Sequence, residues 1–149
     1  FRVFTGSEWG IENTPNSSGG LITRCMLRIF GQQGIQVYST TVEDCEVEAA
    51  SEPTQGILVH DGSIVRRCKV RSTGAGSGIK VNAPGNCCIE DNLVLGSIID
   101  IFISGAAEKN VVIGNRAGSY STGFGNLVGP LVTSSTINSN TNPSANYDL

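Results

Sequence analysis

The chain has 149 residues, of which 15% are charged and 19 are glycine, and its formal net charge is −3 at pH 7. This length fits one domain. Ten Lys and Arg against 13 Asp and Glu leave no basic surface for a phosphate backbone, which disfavours nucleic acid as a partner. The longest apolar runs, within residues 98–103, are too short to cross a bilayer, so no membrane span is expected.

The first segment, residues 1–19, precedes the repeating part of the chain. It begins Phe1-Arg2-Val3-Phe4, with no initiating methionine and no visible signal peptide. We therefore expect that the chain is processed, trimmed or cut from something longer.

Residues 20–129 carry two echoes with a period of about 22 residues, which is typical of a solenoid. One echo is a short apolar strand, and the other has the form apolar-x-x-Cys/Asn-x-apolar. Together they predict two short strands per repeat, separated by Gly, Ser and Asn. The strand copies are Gly34-Ile35-Gln36-Val37, Gly56-Ile57-Leu58-Val59, Gly78-Ile79-Lys80-Val81 and Asp100-Ile101-Phe102-Ile103. The second echo aligns Cys25, Cys45, Cys68, Asn92 and Asn115.

Alternation within each strand predicts the core. Ile35 and Val37 point one way while Gln36 and Tyr38 point the other, and stacked repeats at about 4.8 Å place β-branched residues in columns. Apolar residues at helical spacing are absent, and the glycine content argues against helices as the repeating element. A leucine-rich repeat would need Leu at fixed positions, which this sequence lacks. The sequence therefore predicts an all-β parallel β-helix.

The Cys and Asn positions are expected to form a structural ladder that faces inward or lines a turn. Small thiols pack well there, and Asn side chains can bond to the next Asn and to turn backbone. The alternative is a metal site made from Cys25, Cys45 and Cys68, but stacked thiols do not converge tetrahedrally. A disulfide framework is disfavoured because Cys87 and Cys88 are adjacent and the total of five is odd. We expect no metal and no cofactor.

Outward columns of charge accompany this ladder. When the repeats are aligned, Asp44 falls beside Arg67 and Arg67 beside Asp91, so the signs alternate. Lateral pairs of this kind contribute about 0.2 to 1 kcal/mol each, and a slip by one coil would oppose like charges. The acidic cluster at residues 43–48 therefore indicates coil order rather than a catalytic pair of carboxylates.

On a second outward face the side chains are not matched as pairs of opposite charge, and this face is the candidate binding surface. Its columns contain aromatic rings, amides and the only histidine, which are groups that a saccharide groove uses. A weaker hypothesis is catalysis through His60, Asp61 and Lys80, with the imidazole as acid or base. The candidate ligand-binding residues are Tyr38, His60, Lys80, Asn82 and Phe102.

The two ends of the predicted solenoid differ from its middle. We expect residues 130–149 to be an extended tail held by Leu131, Ile137 and Tyr147, with disorder as the alternative. An open N-terminal end would expose strand edges and core. Either residues 1–19 cover that end, or upstream coils or another subunit do. We expect self-association through the N-terminal coil or a lateral face, as a dimer or trimer.

The repeats, the tight turns and the Cys/Asn ladder over about residues 10–129 resemble the right-handed parallel β-helix, pectate-lyase-like superfamily. The resemblance implies a single-stranded right-handed coil of about five to six turns. It also implies a choice of functions, because members include polysaccharide lyases, hydrolases, epimerases and phage tail proteins. The leading hypothesis is an extracellular, surface or virion-associated module that binds polysaccharide or presents to it, without its own catalysis. The alternatives are a polysaccharide lyase, hydrolase or epimerase and a purely structural or oligomerising module.

Overall fold

The computed structural model describes residues 2–5, 9–16, 19–29, 33–49, 55–73, 76–132, 142 and 144–148. All regular secondary structure in these ranges is β-strand, so they contain no helix of the length and hydrophobicity that a membrane crossing requires. The strands are β1 (Arg2–Thr5), β2 (Trp9–Glu12), β3 (Leu21–Thr23), β4 (Met26–Ile29), β5 (Gln33–Tyr38), β6 (Thr41–Glu43), β7 (Glu46–Ala49), β8 (Gln55–His60), β9 (Ile64–Arg66), β10 (Lys69–Ser72), β11 (Ser77–Val81), β12 (Cys88–Glu90), β13 (Leu93–Leu95), β14 (Ile99–Ile103), β15 (Val111–Ile113), β16 (Arg116–Ala117), β17 (Tyr120–Ser121), β18 (Leu127–Val128), β19 (Leu131–Val132) and β20 (Asn146–Asp148).

These strands form three parallel sheets that the chain visits in turn. Sheet A has the order β1-β4-β7-β10-β13-β16-β20-β19, sheet B has β2-β5-β8-β11-β14-β17, and sheet C has β3-β6-β9-β12-β15-β18. Each strand of the repeat pairs in parallel with its counterpart one coil away, as Ile35 does with Ile57 and Ile79 with Ile101. The protein is therefore an all-β parallel β-solenoid, as the repeat predicted.

The regular solenoid makes about four turns, fewer than the five to six expected. From β3 to β14, every strand in each of the three sheets has at least three residues. After β15 the strands β16, β17, β18 and β19 have two residues each. The sequence echo continues into this region, but the strands that it encodes there are shorter.

Each repeat contains three strands rather than the two expected. The segment that reads as one strand around the Cys or Asn position bends sharply, so its first half lies in sheet C and its second half in sheet A. The residue before the ladder position has a left-handed backbone, which costs roughly 1 to 2 kcal/mol for a side chain other than glycine. These bend residues are Arg24 (φ 54°), Asp44 (52°), Arg67 (52°), Asp91 (54°) and Gly114 (68°).

The interior is one continuous cluster of mostly aliphatic side chains arranged in columns, and Ile35, Val37, Val42 and Val47 are completely buried. All three sheets contribute, because each strand directs one set of alternating residues inward. β-Branched residues dominate, and they pack on identical or similar neighbours one coil away.

At the corner between sheets C and A, the Cys and Asn side chains form one inward column. Asn92 Nδ2 donates to the carbonyl of Val65 at 3.0 Å and to Asn115 Oδ1 at 3.0 Å. Asn115 in turn donates to the carbonyl of Ile89 at 2.8 Å. Asn146, on β20, supplies the next rung by accepting from Asn115 N at 3.1 Å. The ladder thus continues into a segment outside the sequence repeat.

A second polar ladder, which no repeated residue type in the sequence indicates, lies at the corner between sheets B and C. Its members come two residues before the buried residue of each sheet C strand. Asn110 Oδ1 accepts from Cys87 N at 2.8 Å, and Asn110 Nδ2 donates to Asn126 Oδ1 at 2.8 Å. The column consists of Thr40, Ser63, Cys87, Asn110 and Asn126.

The outward charges pair between neighbouring coils. Most of these side chains are roughly 40 to 50% exposed, so each pair adds little to stability and mainly opposes a slip of register. The closest pairs are Arg66–Glu43 at 2.7 Å, Arg67–Asp44 at 2.8 Å, Lys69–Glu46 at 2.8 Å and Arg28–Glu48 at 2.9 Å.

Candidate saccharide-binding face

The predicted ligand-binding residues lie on the outer side of sheet B, or directly after its strands. Tyr38 and His60 end β5 and β8 and stand opposite each other in register. Lys80 and Phe102 occupy one column of β11 and β14, also in register. Asn82 follows β11, and all five side chains are half-buried. The fold therefore brings the five positions onto one face.

Tyr38 and His60 form a stacked pair. Their ring centroids are 4.2 Å apart and the planes differ by 12°. Gln36 Nε2 donates to the Tyr38 hydroxyl at 3.2 Å, which fixes the phenol. Because the two facing ring surfaces cover each other, a ligand can meet only the edges and outer surfaces of this pair.

The imidazole of His60 is held largely uncharged. Burial lowers the pKa of His60 below its usual 6.5, the nearby Lys80 charge lowers it further, and the backbone of Ala83 acts in the opposite direction. Within the described residues His60 Nε2 is buried and has no hydrogen-bond partner. The ring is therefore suited to packing at neutral pH.

The three candidate catalytic residues, His60, Asp61 and Lys80, do not form a hydrogen-bonded group in the described part of the chain. Asp61 is an exposed turn residue whose carbonyl accepts from Ser39 N and Ser39 Oγ, both at 2.9 Å. Among the described residues, no hydrogen bond or ion pair joins His60, Asp61 and Lys80 to one another. Placement on one face supports binding more directly than proton transfer, which needs groups within hydrogen-bond reach of the reacting atoms.

Lys80 and Phe102 make the second contact on this face. Lys80 Nζ lies 5.7 Å from the centroid of the Phe102 ring, which is a cation–π arrangement. No carboxylate of the described residues forms an ion pair with Lys80. Its ammonium group thus keeps donors available for a ligand.

The outer face of sheet B is not uniformly open. Gln36 and Leu58 precede Lys80 in the same outward column, yet they are only 8% and 5% exposed. Leu58 is buried without belonging to the central aliphatic cluster. The accessible part of this column therefore begins at Lys80 and continues to Phe102.

Loops of unequal length border sheet B on the edge toward sheet C. The connections there are residues 39–40, 61–63, 82–87 and 104–110. Sheets C and A, in contrast, are joined by a two-residue bend throughout the repeat. The connections from sheet B to sheet C thus range from two to seven residues. Variable loops on a regular scaffold are the usual carriers of binding function.

Depressions on the described surface also occur away from this face. One is lined by Asp91, Asn92, Leu93, Gly114 and Arg116 at the bend between sheets C and A. Its lining residues include no aromatic side chain. We therefore keep sheet B as the candidate site.

The thiols of the ladder are all free. Cys45 and Cys68 are buried, and each Sγ contacts backbone carbonyls, as Cys45 Sγ does with that of Glu43 at 3.2 Å. A hydrogen bond with Cys68 lowers the pKa of Cys45 to about 7, while the same bond together with burial raises the pKa of Cys68. The described residues include no group of three or more His, Cys, Asp or Glu arranged to hold a metal ion.

Comparisons with protein-family models, with curated proteins and with solved structures gave no significant match.

Proposed function

We propose that this chain is a β-solenoid module that binds polysaccharide along the outer side of sheet B. The observation that carries the proposal is the register of that face, which brings Tyr38 against His60 and Lys80 against Phe102 on neighbouring strands. The same face is the one bordered by unequal loops. A right-handed coil of the pectate-lyase-like kind and an extracellular, surface or virion location belong to this proposal.

The chemistry of the face suits a sugar chain. Neighbouring strands are about 4.8 Å apart, which is close to the length of one sugar ring, so an extended saccharide along the solenoid axis meets one strand per sugar. The open surface of Phe102 can take the apolar side of a pyranose ring. The Lys80 ammonium and the Asn82 amide can bond to its hydroxyl groups.

Catalysis is not part of the proposal. A lyase or hydrolase needs an acid and a base positioned at the glycosidic bond that is cleaved. Among the described residues, no hydrogen bond or ion pair links His60, Asp61 and Lys80. An enzyme of the polysaccharide lyase, hydrolase or epimerase class is the alternative at the same face.

The test is a glycan array followed by calorimetric titration of the best oligosaccharide. We expect Phe102→Ala and Asn82→Ala each to raise the dissociation constant at least fivefold. Arg71→Ala is the matched control, because Arg71 is an exposed residue of sheet A and should leave the affinity unchanged. Equal effects of all three variants, or no glycan bound, would remove sheet B as the binding face.

The enzyme alternative is separated by assaying the same oligosaccharides for new reducing ends and unsaturated products. Binding without products supports the module, whereas turnover that His60→Gln abolishes would support the enzyme. A structural or oligomerising role would use a different face, the outer side of sheet C.

A further inference from the structure

The outer side of sheet C carries one mostly apolar column along its whole length, in which Thr41 is the polar member. Its members alternate with the buried residues of the same strands and therefore point outward. The two end residues, Leu21 and Leu127, are 61% and 67% exposed, and the members between them are half-buried. The column consists of Leu21, Thr41, Ile64, Cys88, Val111 and Leu127.

Beside it runs a second outward column with charges at its centre. In this column Glu43, Arg66 and Glu90 stand in register on β6, β9 and β12. Arg66 lies 2.7 Å from Glu43 and 3.9 Å from Glu90. Thr23 lies at one end of the column and Ile113 at the other.

The two columns are self-complementary when one copy is reversed against another. A twofold axis parallel to the strands, midway between β9 and β12, places Leu21 opposite Leu127 of a second copy and Ile64 opposite Cys88. The same axis places Arg66 opposite Glu90 and Glu90 opposite Arg66. A twofold axis along the solenoid would instead pair positions of the same strand, so the charged column would meet either itself or the apolar column.

We propose that the outer side of sheet C is the contact face of an antiparallel homodimer. Identical patches on both subunits are what a twofold interface requires. The solenoid stacks its strands in register, so this face presents one continuous column that an identical face can meet. This inference goes beyond saccharide binding, because it uses the sheet that the proposed ligand does not touch.

The size of the face sets the expected strength. Six strands spaced about 4.8 Å apart give a face roughly 25 Å long. Each strand contributes about three residues, so the face is about 10 Å wide. Each copy therefore buries a few hundred Å², below the roughly 800 Å² per partner of a standard interface. The dimer is accordingly expected to be weak and reversible.

Sedimentation equilibrium of the full chain over a wide concentration range is the first test. We expect a monomer–dimer equilibrium that Leu127→Asp weakens at least tenfold. The matched control is Leu131→Asp, because Leu131 is similarly exposed, at 52%, but lies in sheet A. A monomer at every concentration, or equal effects of the two variants, would overturn the proposal.

Charge exchange gives a second readout that does not depend on one apolar contact. Arg66→Glu and Glu90→Arg each create like-charge pairs in the homodimer, so each alone should dimerise at least fivefold more weakly. A mixture of the two variants makes both cross-contacts opposite in sign and should recover association. Circular dichroism establishes that both variants are folded, and failure of the mixture to recover contradicts the antiparallel register.

Orientation is tested by disulfide trapping under mild oxidation. A mixture of Leu21→Cys and Leu127→Cys chains should form a mixed disulfide dimer, since these positions lie at opposite ends of one chain and meet only across the interface. Leu21→Cys alone should not crosslink. Efficient crosslinking of Leu21→Cys to itself would replace the antiparallel dimer with a parallel one.

Discussion

At the scale of single residues, the polar ladders show how a buried amide can stabilise the fold more than an aliphatic side chain would. Asn115 is fully buried, and its side chain accepts from Asn92 N and Asn92 Nδ2 at 3.0 Å each. It also donates to the carbonyls of Ile89 and Ile113 at 2.8 and 3.0 Å. One amide thus satisfies backbone groups from two neighbouring coils.

Asn115→Ala should therefore lower the free energy of unfolding by about 3 kcal/mol, because it leaves buried donors and carbonyls without partners. Urea denaturation measures the change. The control is Asn16→Ala, an exposed turn position that should change stability by less than about 0.5 kcal/mol. A similar loss in both variants would mean that the ladder bonds contribute nothing specific.

The buried imidazole of His60 predicts a dependence of stability on pH. Its pKa in the folded protein is below 6.5, so the unfolded chain binds the proton more readily. Acid therefore favours unfolding, and the contribution of His60 to the free energy of unfolding should fall as the pH drops from 7 toward 5. His60→Gln should show a shallower fall over this interval in denaturation curves, and parallel curves for the two proteins would contradict the assignment.

At the scale of elements, glycine allows the strands of sheet B to approach their neighbours. A Cβ atom added at Gly56 would meet Val70 Cγ1 of the core and the carbonyl oxygen of Gly78 on the next strand. Gly34 and Gly78 are similarly enclosed. Close backbone approach is a recurrent reason for glycine inside a strand.

We expect Gly56→Ala to destabilise the protein by about 3 kcal/mol or to prevent folding, because both contacts are in the packed interior. Gly105→Ala is the control, since an added Cβ there meets nothing within 4 Å. Its free energy of unfolding should stay within about 0.5 kcal/mol of the parent or rise slightly. Similar shifts of the denaturation midpoint in both variants would show that the glycine column of sheet B tolerates side chains.

The strands of the repeat could be predicted from sequence, but the number of strands per coil could not. Period-two alternation identifies Ile57 and Val59 as inward, and they are completely buried. The bends at Asp44 and Arg67 could not be predicted, because both residues are charged and adopt a left-handed backbone conformation that usually indicates glycine. Only Gly114, at the last equivalent position, carries the usual signal.

The outward positions of the candidate site residues could be predicted from the sequence, but the contacts between their side chains could not. Alternation places Tyr38 and Lys80 on the outward side, which is where the structure has them. The stacking of Tyr38 on His60 and the burial of Leu58 depend on neighbouring coils and side-chain orientation, which one strand does not encode. The second ladder was missed because Thr40, Ser63 and Cys87 share size and polarity rather than identity.

At the scale of the whole molecule, the C-terminal strand β20 breaks the order of the solenoid. It lies between β16 and β19, so it separates two strands that precede it in the chain. Asn146 is completely buried there and donates to the carbonyls of Val112 and Gly129 at 2.9 and 3.2 Å. No repeat predicts this insertion, because the strand joins the ladder from outside the 20–129 pattern.

Removal of residues 142–149 should therefore loosen the last coils and leave the middle of the solenoid intact. Asn115 loses its rung partner, the Tyr120 hydroxyl loses the carbonyl of Tyr147 at 3.1 Å, and β16 loses its neighbour. Stability in a solenoid is transmitted mainly between adjacent repeats. Amide hydrogens of β15 and β16 should then exchange at least tenfold faster, while those of β8 change little.

Hydrogen exchange with mass spectrometry measures this difference along the chain. Phe124→Ala is the control, because this side chain is 99% exposed and lies in the same terminal region without joining the ladder. Uniformly faster exchange in β8 and β16 would mean that the solenoid opens as one cooperative unit. Unchanged exchange in β16 would mean that the inserted strand contributes no support, and that the coil built by residues 111–121 is held by its own core alone.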